Sequence, residues 1–128
     1  MFKILVCGGR DYNDYDKVRE VLSKIADENS KEYNPNDNWL PSDIMIISGG
    51  ARGADTLAID WAIVNYAQFK EYEADWDKHG KAAGPIRNAE MLKEVPDLVV
   101  AFPGGKGTLD IVTKAKQAGI KVLEVTNE

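Results

Sequence analysis

Three times along the chain a short, nearly uninterrupted apolar run breaks into glycines. Phe2–Cys7 runs into Gly8-Gly9-Arg10, Ile44–Ile47 into Ser48-Gly49-Gly50-Ala51-Arg52-Gly53, and Leu98–Phe102 into Pro103-Gly104-Gly105-Lys106-Gly107-Thr108. Runs of this length without polar alternation describe strands covered on both faces, as in a parallel sheet, and not strands with one solvated side. Two of the glycine segments open directly into helical patterns. Strands alternating with helices require right-handed crossovers, which place helices on both faces of the sheet. The expected fold is therefore a single α/β domain over residues 1–128, Rossmann-like and doubly wound, with about five parallel strands.

The remaining segments fill in this frame. Val18, Val21, Leu22 and Ile25 recur at helical spacing within Asp14–Ala26, and Asn13 or Asp14 can cap that helix. Asp27 to Asp43 is polar and contains Asn34-Pro35-Asn36-Asp37-Asn38 and Leu40-Pro41, a surface excursion onto which Trp39 is expected to pack. Further helices are expected over Ala54–Ala67 and Pro85–Glu94 and, after the last glycine segment, to about Ala118, with Gly119 as its C-terminal cap. A short third strand is expected over Phe69–Glu73, a loop over Ala74–Gly80 and a fifth strand over Lys121–Val125. Trp61 is assigned to the core.

Composition narrows the function classes. With 128 residues, 44% hydrophobic and 29% charged, the chain suits one packed core. No apolar run approaches the roughly 18 residues of a membrane span, and Met1–Val6 is too short for a signal-peptide core. The lone Cys7 can form neither an internal disulfide nor a cysteine cluster; it is expected to be a small buried residue, and a cytoplasmic location follows. A formal net charge of −5 argues against sequence-independent binding to duplex nucleic acid.

In a doubly wound sheet the loops that follow the strands converge on one edge, and ligands bind where strand order reverses. Glycine lets backbone amides approach an anion closely, and a helix N-terminus adds unpaired N–H groups with partial positive charge. The candidate ligand-binding residues are accordingly Gly8, Gly9, Arg10, Ser48, Gly49, Gly50, Arg52, Gly53, Pro103, Gly104, Gly105, Lys106, Gly107 and Thr108. Arg87, Lys78 and Lys81 add charge beside the same edge, and Trp76 or Tyr12 can face a base. Neither G-x-G-x-x-G nor a Walker loop is present, and His79 is the single histidine. A dinucleotide-dependent dehydrogenase, an ATPase and a zinc site are thereby set aside, and no metal or cofactor is expected.

These residues carry a resemblance. Gly8-Gly9-Arg10-Asp11-Tyr12, Ser48 to Ala58, Ala74-Asp75-Trp76 through Asn88-Ala89-Glu90-Met91-Leu92, and Asp97 to Asp110 resemble the SLOG superfamily, above all its YspA/cpYpsA-related branch. That superfamily includes DNA-processing protein A and the Lonely Guy phosphoribohydrolases. The resemblance implies binding of a nucleotide or nucleotide-derived ligand, with enzymes in some branches and sensors in others, and a homo-oligomer in which subunits complete each other's sites.

Lonely Guy enzymes carry an Arg with Met four positions later, then P-G-G-x-G-T-x-x-E. Arg87 and Met91 match the first element and Pro103–Thr108 the second, but Ile111 stands at the glutamate position and the nearest carboxylate is Asp110. One residue turns a helical side chain by about 100°, so Asp110 can replace that glutamate only if the helix start is re-aimed. Binding is the favoured reading, with phosphates on the second and third glycine loops. The alternative is N-glycosidic hydrolysis of a nucleoside 5′-monophosphate by Arg87 with Asp110, or else with Asp55 or Glu90. A second alternative is single-stranded nucleic-acid binding.

Overall fold

A computed structural model describes residues 1–29 and 43–126. Trp39 and most of the polar excursion lie outside the described residues. The elements in chain order are β1 (Phe2–Cys7), α1 (Tyr15–Asn29), β2 (Ile44–Ser48), α2 (Ala54–Val64), β3 (Gln68–Glu71), α3 (Trp76–His79), α4 (Ala83–Leu92), β4 (Leu98–Ala101), α5 (Lys106–Gln117) and β5 (Val122–Glu124). One five-stranded sheet runs in the order β3-β2-β1-β4-β5, and every neighbouring pair is parallel.

The apolar runs are uninterrupted because both faces are covered. Ile4, Val6, Ile44, Ile46, Leu98 and Val100 point to one side, where they pack with Val18, Leu22 and Ile25 of α1 and Ala58, Trp61 and Ala62 of α2. Leu5, Cys7, Ile47, Val99 and Ala101 point to the other, against Met91 of α4 and Ile111, Val112 and Ala115 of α5. Trp61 is fully buried, and its indole N–H donates to Ser23 Oγ at 3.1 Å.

The chain steps outward from β1 to β3 and then crosses to the opposite side of β1 for β4 and β5. Strand order therefore reverses between β1 and β4, and the crevice expected of such a sheet opens beyond their carboxyl ends.

Several boundaries follow from local chemistry. Asp14 Oδ1 accepts the Lys17 amide at 3.0 Å and so starts α1. At the end of α5, Gly119 takes a φ of 75°, its amide meets Lys116 O at 3.1 Å, and the Ile120 amide meets Ala115 O at 2.9 Å. That paired closure is the one a left-handed glycine makes possible. α2 stops at Val64, short of the expected Ala67, because Asn65 turns its side-chain amide onto Trp61 O at 2.8 Å and Tyr66 adopts a φ of 58°. Residues 76–79 form α3 where a loop was expected, started by Asp75 Oδ1 accepting the Lys78 amide at 3.1 Å. A 3-10 turn, Gly80–Ala82, leads into α4, which places Pro85 in its first turn, where a missing N–H costs nothing. Among the described residues no helix is long and apolar enough to cross a membrane.

Candidate functional site

The loops after β1, β2 and β4 are stitched to one another by backbone. Gly9 donates to Pro103 O at 2.9 Å and accepts the Ala54 amide at 3.2 Å. A Cβ on Gly53, whose φ is 90°, would stand 2.2 Å from Gly9 O, and one on Gly104 would stand 2.6 Å from Gly9 N. These two glycines, with Gly8 wedged between Ala54 and Phe102, allow the loops to touch.

A cleft of about 670 Å³ opens above this junction. Its lining brings together Gly8, Gly9 and Arg10 from the first loop, Ala51 and Asp55 from the second loop and α2, and Gly105, Lys106, Gly107 and Thr108 from the start of α5. Trp76, Lys81, Arg87, Asn88, Asp110 and Ile111 also line its walls. A smaller hollow of about 420 Å³ shares Arg10, Ala51, Trp76 and Arg87 with the cleft and takes in Gly49, Gly50 and Arg52. Pro103 and Gly104 border shallower hollows beside it. Tyr12 packs its ring on Phe102 with centroids 5.2 Å apart, so of the two aromatics considered only Trp76 lines the cleft. Lys78, His79 and Glu90 do not line it.

The two helix starts differ in what their amides do. At α5 no side chain caps the helix, and among the described residues the amides of Lys106, Gly107 and Thr108 have no partner. A Cβ built on Gly105 or Gly107 would meet nothing. Glycine inside a helix costs about 1 kcal/mol relative to alanine, so Gly107 carries a cost that packing does not require.

At the second loop the amides of Gly50, Ala51 and Ala54 are already engaged, while in the first turn of α2 those of Asp55 and Thr56 have no partner among the described residues. Gly50 donates to Ser48 Oγ at 3.2 Å, Ala51 to Asp55 Oδ2 at 3.3 Å, and Ala54 to Gly9 O. Ser48 is itself buried and donates to Asp55 O at 3.0 Å. Asp55 is only 7% exposed. Burial pushes its carboxyl up to about 6, against the opposing pull of the Ala51 amide, the Arg87 and Arg10 guanidinium groups and the Gly49 amide.

Arg87 is held in place. Its Nη1 donates to Gly49 O at 2.9 Å and Tyr72 O at 3.5 Å, and its Nε to Asn88 Oδ1 at 3.0 Å. Asn88, buried and absent from the expected site, passes the connection on through Nδ2 to Asp110 Oδ2 at 3.0 Å and Gly107 O at 3.4 Å. Lys114 Nζ meets the same Asp110 oxygen at 3.0 Å and Pro85 O at 3.1 Å. Asp110 thus lines the cleft from a fixed position. Ile111, the next residue, reaches the cleft wall at 4% exposure and packs into the core beneath it. Arg52 is 77% exposed and pairs with Asp11 at 3.3 Å, an ordinary surface contact. Among the described residues no three His, Cys, Asp or Glu side chains gather as a metal site.

Asp55 and Asn88 are what residue-by-residue reading underrated. The available signal for Asp55 was an acid in the first turn of a helix that follows a glycine loop; for Asn88 it was only adjacency to Arg87.

Comparison with known proteins adds three findings. A model of the YspA, cpYpsA-related SLOG family matches residues 2–79. The Gene 61 protein of Mycobacterium phage D29 is 35% identical over 133 residues, covering 96% of this chain and 95% of the phage protein. DNA processing protein A from Streptococcus pneumoniae superposes with a TM-score of 0.73 at 18% identity, covering 100% of this chain and 51% of that one, so this chain spans about half its length.

Proposed function

Because the chain belongs to the YspA, cpYpsA-related SLOG family, we propose that it binds a nucleotide or nucleotide-derived small molecule in the cleft at the carboxyl edge of the sheet. The observation that carries this reading is the start of α5: three amides without partners among the described residues and a glycine the fold does not require, with Lys106 beside them and Arg10 and Arg87 lining the same cleft. A phosphate there gains the helix terminus, the amides and charge-assisted hydrogen bonds together. Trp76, half-exposed on the cleft wall, offers a flat apolar surface to a base. Calorimetry with AMP, ADP-ribose, cyclic nucleotides and NAD tests the reading. At least one should bind, and Arg87→Ala should weaken it about tenfold or more; no binding to any of them contradicts it.

A second reading, N-glycosidic hydrolysis, draws on Asp110, held by Asn88 and Lys114 on the cleft wall one helical turn from the open amides. Incubation with AMP should then release free base, and release that survives Asp110→Ala and Arg87→Ala together removes those residues from the chemistry. Single-stranded nucleic acid is supported only by fold likeness to a protein named for DNA processing, against a net charge of −5.

A further inference from the structure

The second glycine loop has the composition of a phosphate cradle, yet a carboxylate of the protein already sits in it. Asp55 Oδ2 accepts the Ala51 amide, lies beside Gly49 together with the Arg87 guanidinium, and borders the cleft while almost wholly buried. We infer that Asp55 is an internal anion that closes this loop to phosphate and takes up a proton when a phosphate-bearing ligand fills the cleft. One residue thus decides which loop reads the ligand and how affinity varies with pH.

The inference rests on the nucleotide reading above and follows from the charges around Asp55. From the loop after β1 it faces Arg10, from β1 the Cys7 thiol, from its own loop the amides of Gly49 and Ala51, and from α4 Arg87. Beside Gly50 stands Glu71 of β3. Across the same cleft are Lys81, Lys106 and Asp110, the last paired with Lys114. Arg10 and Arg87 are the cations that steady the carboxylate, and both also line the space a phosphate would enter. A phosphate competing for them leaves Asp55 with less countercharge and a new like charge in a poorly solvated site, where the neutral carboxyl is the cheaper form. The proton is within reach because burial already holds this carboxyl near 6.

The test is calorimetry of AMP binding to the wild type and to Asp55→Asn at about pH 5.5 and about pH 7.5. The side-by-side comparison cancels titration of the ligand. Wild-type affinity should fall by about tenfold relative to the variant between the two pH values. A wild-type to variant ratio that does not change with pH overturns the inference and leaves the nucleotide reading standing; no binding by either protein overturns both. Should Asp55→Asn fail to fold, the wild type decides alone. At about pH 7.5 the phosphate is already largely dianionic, so calorimetry in two buffers of different ionisation heat counts protons taken up by the protein. Uptake supports the inference, and binding without uptake overturns it.

Discussion

Asp55 links proton binding to stability as well as to ligand. Its folded-state value of about 6 lies above the ordinary aspartate value of about 3.9, so the folded form holds the proton more tightly. Stability from this group is greatest below about pH 4 and is lost as pH rises through about 6, a penalty on the order of 3 kcal/mol at neutral pH. Asp55→Asn removes the penalty. Thermal unfolding should show the variant gaining on the wild type above about pH 6.5 and losing that advantage near pH 4; an advantage that is the same at both ends contradicts the assignment. Cys7 gives a second residue-scale expectation. Burial pushes its thiol up to about 12, with Asp55 adding to the shift, so almost no thiolate exists at neutral pH. A maleimide should leave the native protein unmodified and label it once unfolded, and fast native labelling would contradict the burial.

β1, β2 and β4 were legible because double-sided burial leaves apolar runs that need no partner to be recognised, as at Ile44–Ile47 and Leu98–Phe102. α3 was not, since four residues held by one Asp75 bond carry no period to read. The glycines show a different limit. Gly53 and Gly104 serve loop contact, whereas Gly105 and Gly107 face open space, and no local sequence pattern tells which partner a glycine will meet. This makes Gly107→Ala informative: it should keep stability or raise it slightly, by less than about 1 kcal/mol of helix propensity, while weakening ligand binding. Loss of stability without loss of binding would reverse the interpretation. In α2, Trp61→Ala should cost about 3–5 kcal/mol in chemical denaturation, a large share of a small domain's stability, and Trp61→Phe less.

At the scale of the molecule, a chain of net charge −5 gathers Arg10, Lys81, Arg87 and Lys106 around the crevice where strand order reverses, while the acids among the described residues that line it are Asp55 and Asp110. The sheet order alone fixes where the loops meet; which amides remain open depends on tertiary contacts such as Gly9 to Ala54 and Asp55 to Ala51, which lie beyond local reading. The central claim is that the open amides of α5 receive the ligand's phosphate. Nuclear magnetic resonance with backbone assignments, titrating AMP, tests it most directly. The Lys106, Gly107 and Thr108 amides should show the largest shifts, with smaller ones at Gly50. Binding that leaves those three unmoved, or that shifts the opposite edge of the sheet, would contradict it.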